Sequence, residues 1–252
     1  MSIKALPDYS VHIMKPEEYI FVLLLSMGAC FLIGLTFYGN IILSLFFAPI
    51  GILYLPFYKK EQVRKRKEAL HIQFKDALYF ISVSLSAGKS IESAIADAHK
   101  ALCGIYPDRE CDIIKELEIM NARIIMNEPV EKAFDDLAQR CGIEDIKSFA
   151  GVLMVAKRSG ANLMEVIKNT STTISEKVEM RQEIENIISG KKFEQKILCV
   201  MPFALILFLR STSPDFMEPI MTTVFGHIIM TIALIMIILG LLLSRKITNI
   251  EV

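Results

Sequence analysis

The chain has no tryptophan, no paired cysteines and almost no charge at either end. Its five cysteines, Cys30, Cys103, Cys111, Cys141 and Cys199, form no CxxC pair, which excludes a zinc-finger pattern and a disulfide framework. Small buried hydrophobes in a reducing compartment is their plain reading. The phosphate-binding GxxxxGK[ST] loop, HExxH, GxSxG and the glycine-rich dinucleotide fingerprint are all missing. The four histidines, His12, His71, His99 and His227, stand alone. Asp135 and Asp136 are neighbours, and adjacent residues on a helix do not face each other. These absences argue against an enzyme, and no cofactor or metal site is expected.

Net charge is formally zero, but residues 59–196 hold 23 of the 28 Lys/Arg and 22 of the 28 Asp/Glu. The middle is therefore mixed in sign, without the basic surplus that nucleic acid requires. The ends are apolar, and they raise the hydrophobic fraction to 53% and the mean hydropathy to +0.44. After a polar lead, 1–18, Tyr19 to Tyr38 is apolar or small throughout, and twenty such residues rise about 30 Å as a helix, enough to cross a bilayer core. Glu17 and Glu18 before the run and the lack of a cleavage site after it argue against a signal peptide. Tyr38-Gly39-Asn40 marks a turn, and Ile41 to Tyr58 is a second run, interrupted by Pro49 and Pro56. Residues 19–58 thus read as a membrane hairpin. Lys59, Lys60, Arg64, Lys65, Arg66 and Lys67 follow it and mark the cytoplasmic side, where they also attract anionic lipid.

Residues 59–196 read as a helical bundle of about six helices. Leu70, Phe74, Leu78, Ile81 and Leu85 keep one face of a 3.6-residue period, as do Ile113, Leu117, Met120 and Ile124, then Val130, Ala133, Phe134, Leu137 and Cys141, and then Ile146, Phe149, Leu153 and Ala156. Three turns share a grammar: Gly88-Lys-Ser-Ile-Glu-Ser-Ala-Ile95, Asn127-Glu-Pro-Val-Glu-Lys-Ala-Phe134 and Gly160-Ala-Asn-Leu-Met-Glu-Val-Ile167. Each starts with a residue that tolerates the left-handed backbone, then a helix starter, then apolar positions. Any bundle needs such turns, so the repeat has a bland explanation beside the specific one. The last soluble helix runs from Asn162 to about Ser189, and its polar face, Glu176, Lys177, Glu179, Arg181 and Glu183, together with Lys157 and Arg158 at the third turn, is the candidate partner surface.

The C-terminal pair spans 197–243, followed by a tail, 244–252. Ile197 to Leu209 is short for a span and is either a crossing helped by its flanking residues or a re-entrant piece. Ile220 to Leu243 spans, and Arg245 and Lys246 after it are cytoplasmic if both segments cross. Four transmembrane helices with both termini and the central domain in the cytoplasm is the preferred topology, with an external loop at Arg210 to Pro219. His227 sits near the outer end of the last span, where an interfacial imidazole is the economical reading.

The order and spacing of these motifs resemble the type II secretion system F family, and within it the single-domain platform proteins of tight-adherence (Tad) pilus systems. The match is carried by Leu85 to Ala94, Asn127 to Phe134, Ala156 to Ile167, Met201-Pro202-Phe203, Ser213-Pro214-Asp215-Phe216 and the closing Ser244 to Val252. Ala161 stands where a second glycine is common, and one bundle is present where larger members carry two. The resemblance implies an all-α, multi-pass inner-membrane platform without enzymatic activity. Its implied partners are a cytoplasmic secretion ATPase, a paralogous platform protein or a second copy of itself, pilin subunits and the lipid bilayer. A membrane receptor with a helical output is the alternative, and a small transporter a third; the first lacks a sensor region, and for the second the spans offer little mid-membrane polarity beyond Ser26, Asn40 and Thr231.

Overall fold

The computed structural model describes residues 7–9, 14, 16–107, 111–159 and 162–248, with side chains to Ser244. The chain is all-helical, and the described residues contain no strand. Ten α-helices follow in order: α1 (Pro16–Tyr38), α2 (Ile41–Phe47), α3 (Leu55–Ser86), α4 (Ile91–Ile105), α5 (Asp112–Ile125), α6 (Val130–Cys141), α7 (Glu144–Ser159), α8 (Leu163–Thr212), α9 (Pro214–Thr222) and α10 (Val224–Thr248). A 3-10 segment, Ala48–Tyr54, joins α2 to α3. Among the described residues, three helical stretches are long and apolar enough to cross a membrane, or four if the bent pair α8–α9 counts as one span.

The chain divides into two compact units. The first takes Lys60–Met180 with the N-terminal Met1–His12. Its six helical segments, the later part of α3, α4 to α7 and the early part of α8, bury the periodic stripes in one core. Leu70, Phe74, Leu78, Ile81, Leu117, Phe134, Leu137, Phe149, Leu153 and Ile174 all lie there. Phe74, Phe134 and Phe149 meet edge to face, with centroids 5.0 to 6.4 Å apart, the arrangement that aromatic quadrupoles favour.

The turns at Gly88 and Asn127 are built alike. Gly88 has φ +81° and Asn127 φ +61°. In the first, the Gly88 N–H donates to Leu85 O and the Lys89 N–H to Ser84 O; in the second, Asn127 N–H donates to Ile124 O and Glu128 N–H to Arg123 O. This is the Schellman pairing, in which a left-handed residue lets two carbonyls of the last helical turn accept hydrogen bonds. Ser90 then caps α4 by accepting the Ser93 N–H at 3.3 Å. Gly160 lies outside the described residues. Another left-handed residue, Gly142 at φ +62°, ends α6.

The second unit takes Ile13–Lys59 and Arg181–Val252. Its small buried cluster holds Phe37, Tyr38, Met217, Met230 and Leu234. Close helix approach relies on glycine at Gly51, where an added Cβ would lie 2.7 Å from the backbone of Ser26 and Met27. Pro49 at the start of the 3-10 segment removes a donor at the same place and permits the local tightening.

Two boundaries differ from the expectation. The long helix does not stop at Ser189: α8 runs through Gly190 and Pro202 to Thr212 as 50 residues, about 75 Å at 1.5 Å per residue. One glycine weakens a helix by only about 1 kcal/mol, which its neighbours offset. The expected loop Arg210 to Pro219 is reduced to Ser213. Pro214 opens α9, where a missing N–H costs nothing, and the non-helical Ser213 before it, at φ −140° and ψ 68°, lets the axis turn by 112°.

Candidate functional site

Directions within the first unit follow from two side-chain pairs. Arg66, early in the part of α3 that belongs to this unit, grips Asp112 at the start of α5, at 2.8 and 2.7 Å. His71, one turn further along α3, meets Asp145 at the start of α7 at 3.0 Å. Thus α3, α5 and α7 run the same way, and α4, α6 and α8 return. The C-terminal ends of α3, α5 and α7, with the turns at Gly88 and Asn127, therefore lie at one end of the unit, and the C-terminal ends of α4 and α6 at the other.

The end carrying the turns presents apolar side chains to solvent. Ile125 and Met126 are 81% and 76% exposed, and Val155 on the last turns of α7 is exposed as well. Lys157 stands among them and donates to Glu131 at 2.7 Å, tying the end of α7 to the start of α6. Burial raises the Glu131 carboxyl, but the Lys157 hydrogen bond, a backbone donor and the Lys157 and Lys132 charges outweigh it, and its pKa falls below the ordinary value. Arg158 beside it is exposed.

The opposite end is closed by a buried polar lock that the sequence pattern does not announce. Glu116 on α5 is fully buried, and both its oxygens are taken by the Arg140 guanidinium on α6, at 2.6 and 2.5 Å. Arg140 Nε reaches Asp136 at 2.8 Å, and Arg123 reaches the same carboxylate at 3.2 Å. Tyr9, from the lead before α1, donates its hydroxyl to Glu116 at 2.7 Å, and its ring lies under the Arg66 guanidinium. Burial and the adjacent Glu116 charge push the Tyr9 phenol well above its ordinary pKa, so it remains a neutral donor. Burial lowers Arg140, yet Glu116 and Asp136 raise it by more, which keeps it charged. No single residue here is unusual in type. The only sequence clue is a lone arginine and a lone glutamate, each standing on an otherwise apolar helical face.

The proposed helix face separates into two roles. Lys177 donates to the buried Asp145 at 2.8 Å, so Asp145 brackets α8 on one side and His71 of α3 on the other. Glu176 and Glu179 in the first unit, and Arg181 and Glu183 in the second, are exposed along α8. Asp136 belongs to the lock, and Asp135 accepts instead from Gln139 at 2.8 Å. In the second unit, Tyr38 shares a hydrogen bond with Thr231 at 2.7 Å and stacks on His227, while Arg210 donates to Leu35 O at 3.0 Å. Ser26 donates to Leu23 O, and Asn40 caps α2, so the polar residues of the apolar stretches are taken up locally. Among the described residues no three His, Cys, Asp or Glu side chains gather as metal ligands.

Comparison with protein-family models, curated proteins and solved structures finds no match to this chain.

Proposed function

We propose that the chain is a multi-pass inner-membrane scaffold, an assembly platform of a tight-adherence pilus or a type II secretion machine, that couples a cytoplasmic secretion ATPase to pilin assembly or export. The observation that carries the reading is the placement of the repeated turns. The turns at Gly88 and Asn127 and the end of α7 gather at one end of the helical unit, which carries exposed Ile125, Met126 and Val155 together with Lys157 and Arg158. Apolar residues surrounded by charge are what a docking surface needs, and a folded unit has no internal use for them. One helix leaves this unit without a break: α8 is continuous with the apolar stretch after Lys196. Continuous helices carry displacement better than flexible linkers do.

The Tyr9 contact supports the proposed sidedness. Tyr9 packs beside Arg66, while α1, α2 and the 3-10 segment lie between them in sequence, so an even number of membrane crossings separates the two. With Lys59 to Lys67 adjacent, the cytoplasm is the side that the positive-inside rule selects. The partners in this reading are the ATPase at the turn-bearing end, a paralogous platform protein or a second copy along the exposed face of α8, and pilin within the bilayer.

The test is genetic and structural together. Deleting this chain and deleting the ATPase should give the same loss of fibre. Reversing the exposed Arg158 to Glu should abolish assembly at unchanged protein level, because exposed substitutions away from ion pairs shift stability by under about 0.5 kcal/mol. Normal fibres after deletion, with no paralogue present, would refute the proposal.

A further inference from the structure

Residues 7–9 have no regular secondary structure, yet Tyr9 is as buried as the leucines of the core. Three contacts seat it. Its hydroxyl donates to Glu116 Oε1 at 2.7 Å. Its ring centre lies 4.7 Å from the Arg66 guanidinium carbon, within range of a cation–π attraction. Two residues earlier, the Pro7 carbonyl accepts from Arg140 Nη1 at 3.1 Å.

The walls of this socket do not rely on the tyrosine. Glu116 and Arg140 hold each other through two hydrogen bonds, Asp136 holds Arg140 and Arg123, and Asp112 holds Arg66 fork to fork. Every wall residue stands on a helix, α3, α5 or α6, and each is oriented by a partner other than Tyr9. The occupant is built in the opposite way. It is a short segment without regular secondary structure, and it brings a buried phenol and a backbone carbonyl to the socket. A preorganised polar socket costs little to fill, because the groups that meet the ligand are already ordered.

We propose that the space between α3, α5 and α6 is a reversible binding site for a Pro-Asp-Tyr segment, occupied by the chain's own Pro7–Tyr9. The chemistry sets its selectivity. A neutral phenol satisfies Glu116, phenylalanine leaves that carboxylate without its third donor, and a phosphorylated tyrosine brings negative charge against it. This inference is independent of the assembly-platform reading.

Hydrogen exchange on the full-length chain in lipid nanodiscs tests it. Tyr9→Ala should raise exchange in the first turns of α5 and the last turns of α6 by about tenfold or more, and leave α4 unchanged. A synthetic peptide with the sequence of residues 1–12, at millimolar concentration to match the effective concentration of a short tether, should restore protection. The same peptide with phenylalanine at the tyrosine should require about tenfold more, and the phosphotyrosine peptide should not restore it at all. If Tyr9→Ala prevents folding, Tyr9→Phe in the chain is read with the same peptides. Unchanged exchange in the variant overturns the proposal. So does lost protection that the natural peptide fails to restore, because Tyr9 is then a core residue and no ligand. Equal rescue by all three peptides overturns the selectivity.

Discussion

Replacing Arg140 by methionine should destabilise the first unit more than any exposed substitution. The Glu116 carboxylate is fully buried, and Arg140 supplies two of its three hydrogen bonds. Removing the guanidinium leaves a buried charge with only the Tyr9 hydroxyl. Breaking one partner of a buried pair costs about 3–5 kcal/mol. With about 2–4 °C of melting temperature per kcal/mol for a protein of this size, the expected drop is roughly 6–20 °C. Cys141 provides a probe specific to this unit, since it lies in the core next to Arg140 and is fully buried. With Cys30, Cys103, Cys111 and Cys199 replaced by Ala, its thiol labelling on heating reports opening of α6. The diagnostic comparison is the triple variant Tyr9→Phe, Glu116→Leu, Arg140→Met. It removes every charge and donor that would be orphaned, and Asp136 keeps Arg123. The triple variant should melt above Arg140→Met alone, because replacing a whole buried ionic group by apolar residues is often neutral. A loss below about 1 kcal/mol for Arg140→Met, or a triple variant that sums the single losses, would refute the reasoning.

Two further outcomes are expected. Gly51→Leu should loosen the α1–3-10 contact by about 1–3 kcal/mol, since its Cβ would meet the Ser26 and Met27 backbone at 2.7 Å; detergent-solubilised protein should melt lower, while Gly28→Leu, with open space around it, should not. Because the folded Glu131 pKa is depressed, the stabilisation from its pair with Lys157 is present above the ordinary carboxylate range and is lost as pH falls through the lowered folded value. Lys157 is half-exposed, so the effect should be under about 1 kcal/mol, and Lys157→Met should flatten that part of the stability–pH curve.

Much of the fold is legible in the sequence because it rests on local chemistry. The stripe from Leu70 to Leu85 and the one from Val130 to Cys141 are buried as their period implies. Gly88 and Asn127 take the backbone that their residue types permit. What escapes the sequence is set by distance along the chain. Tyr9 meets Glu116 across 107 residues, and the polar lead that carries it has no periodicity to reveal a buried side chain. Lys177 looks like a surface residue by pattern, and only the fold brings Asp145 beneath it. The α8–α9 bend is hidden for a related reason: Pro214 reads as a loop signal and equally as a first helical residue, and packing of Met217 decides.

The separation between Tyr9 and its partners also orders events during synthesis. Tyr9 leaves the ribosome early, but Arg140, which receives the Pro7 carbonyl, follows 133 residues later. By then α1 and the hairpin after it have already been made. The N-terminal contact therefore closes in full only once the end of α6 has been made. It joins the start of the chain to helices made long after it, and a nascent chain halted before α6 has only a half-built socket to offer. Completion of the socket thus marks the moment at which the N-terminus ceases to be a loose end.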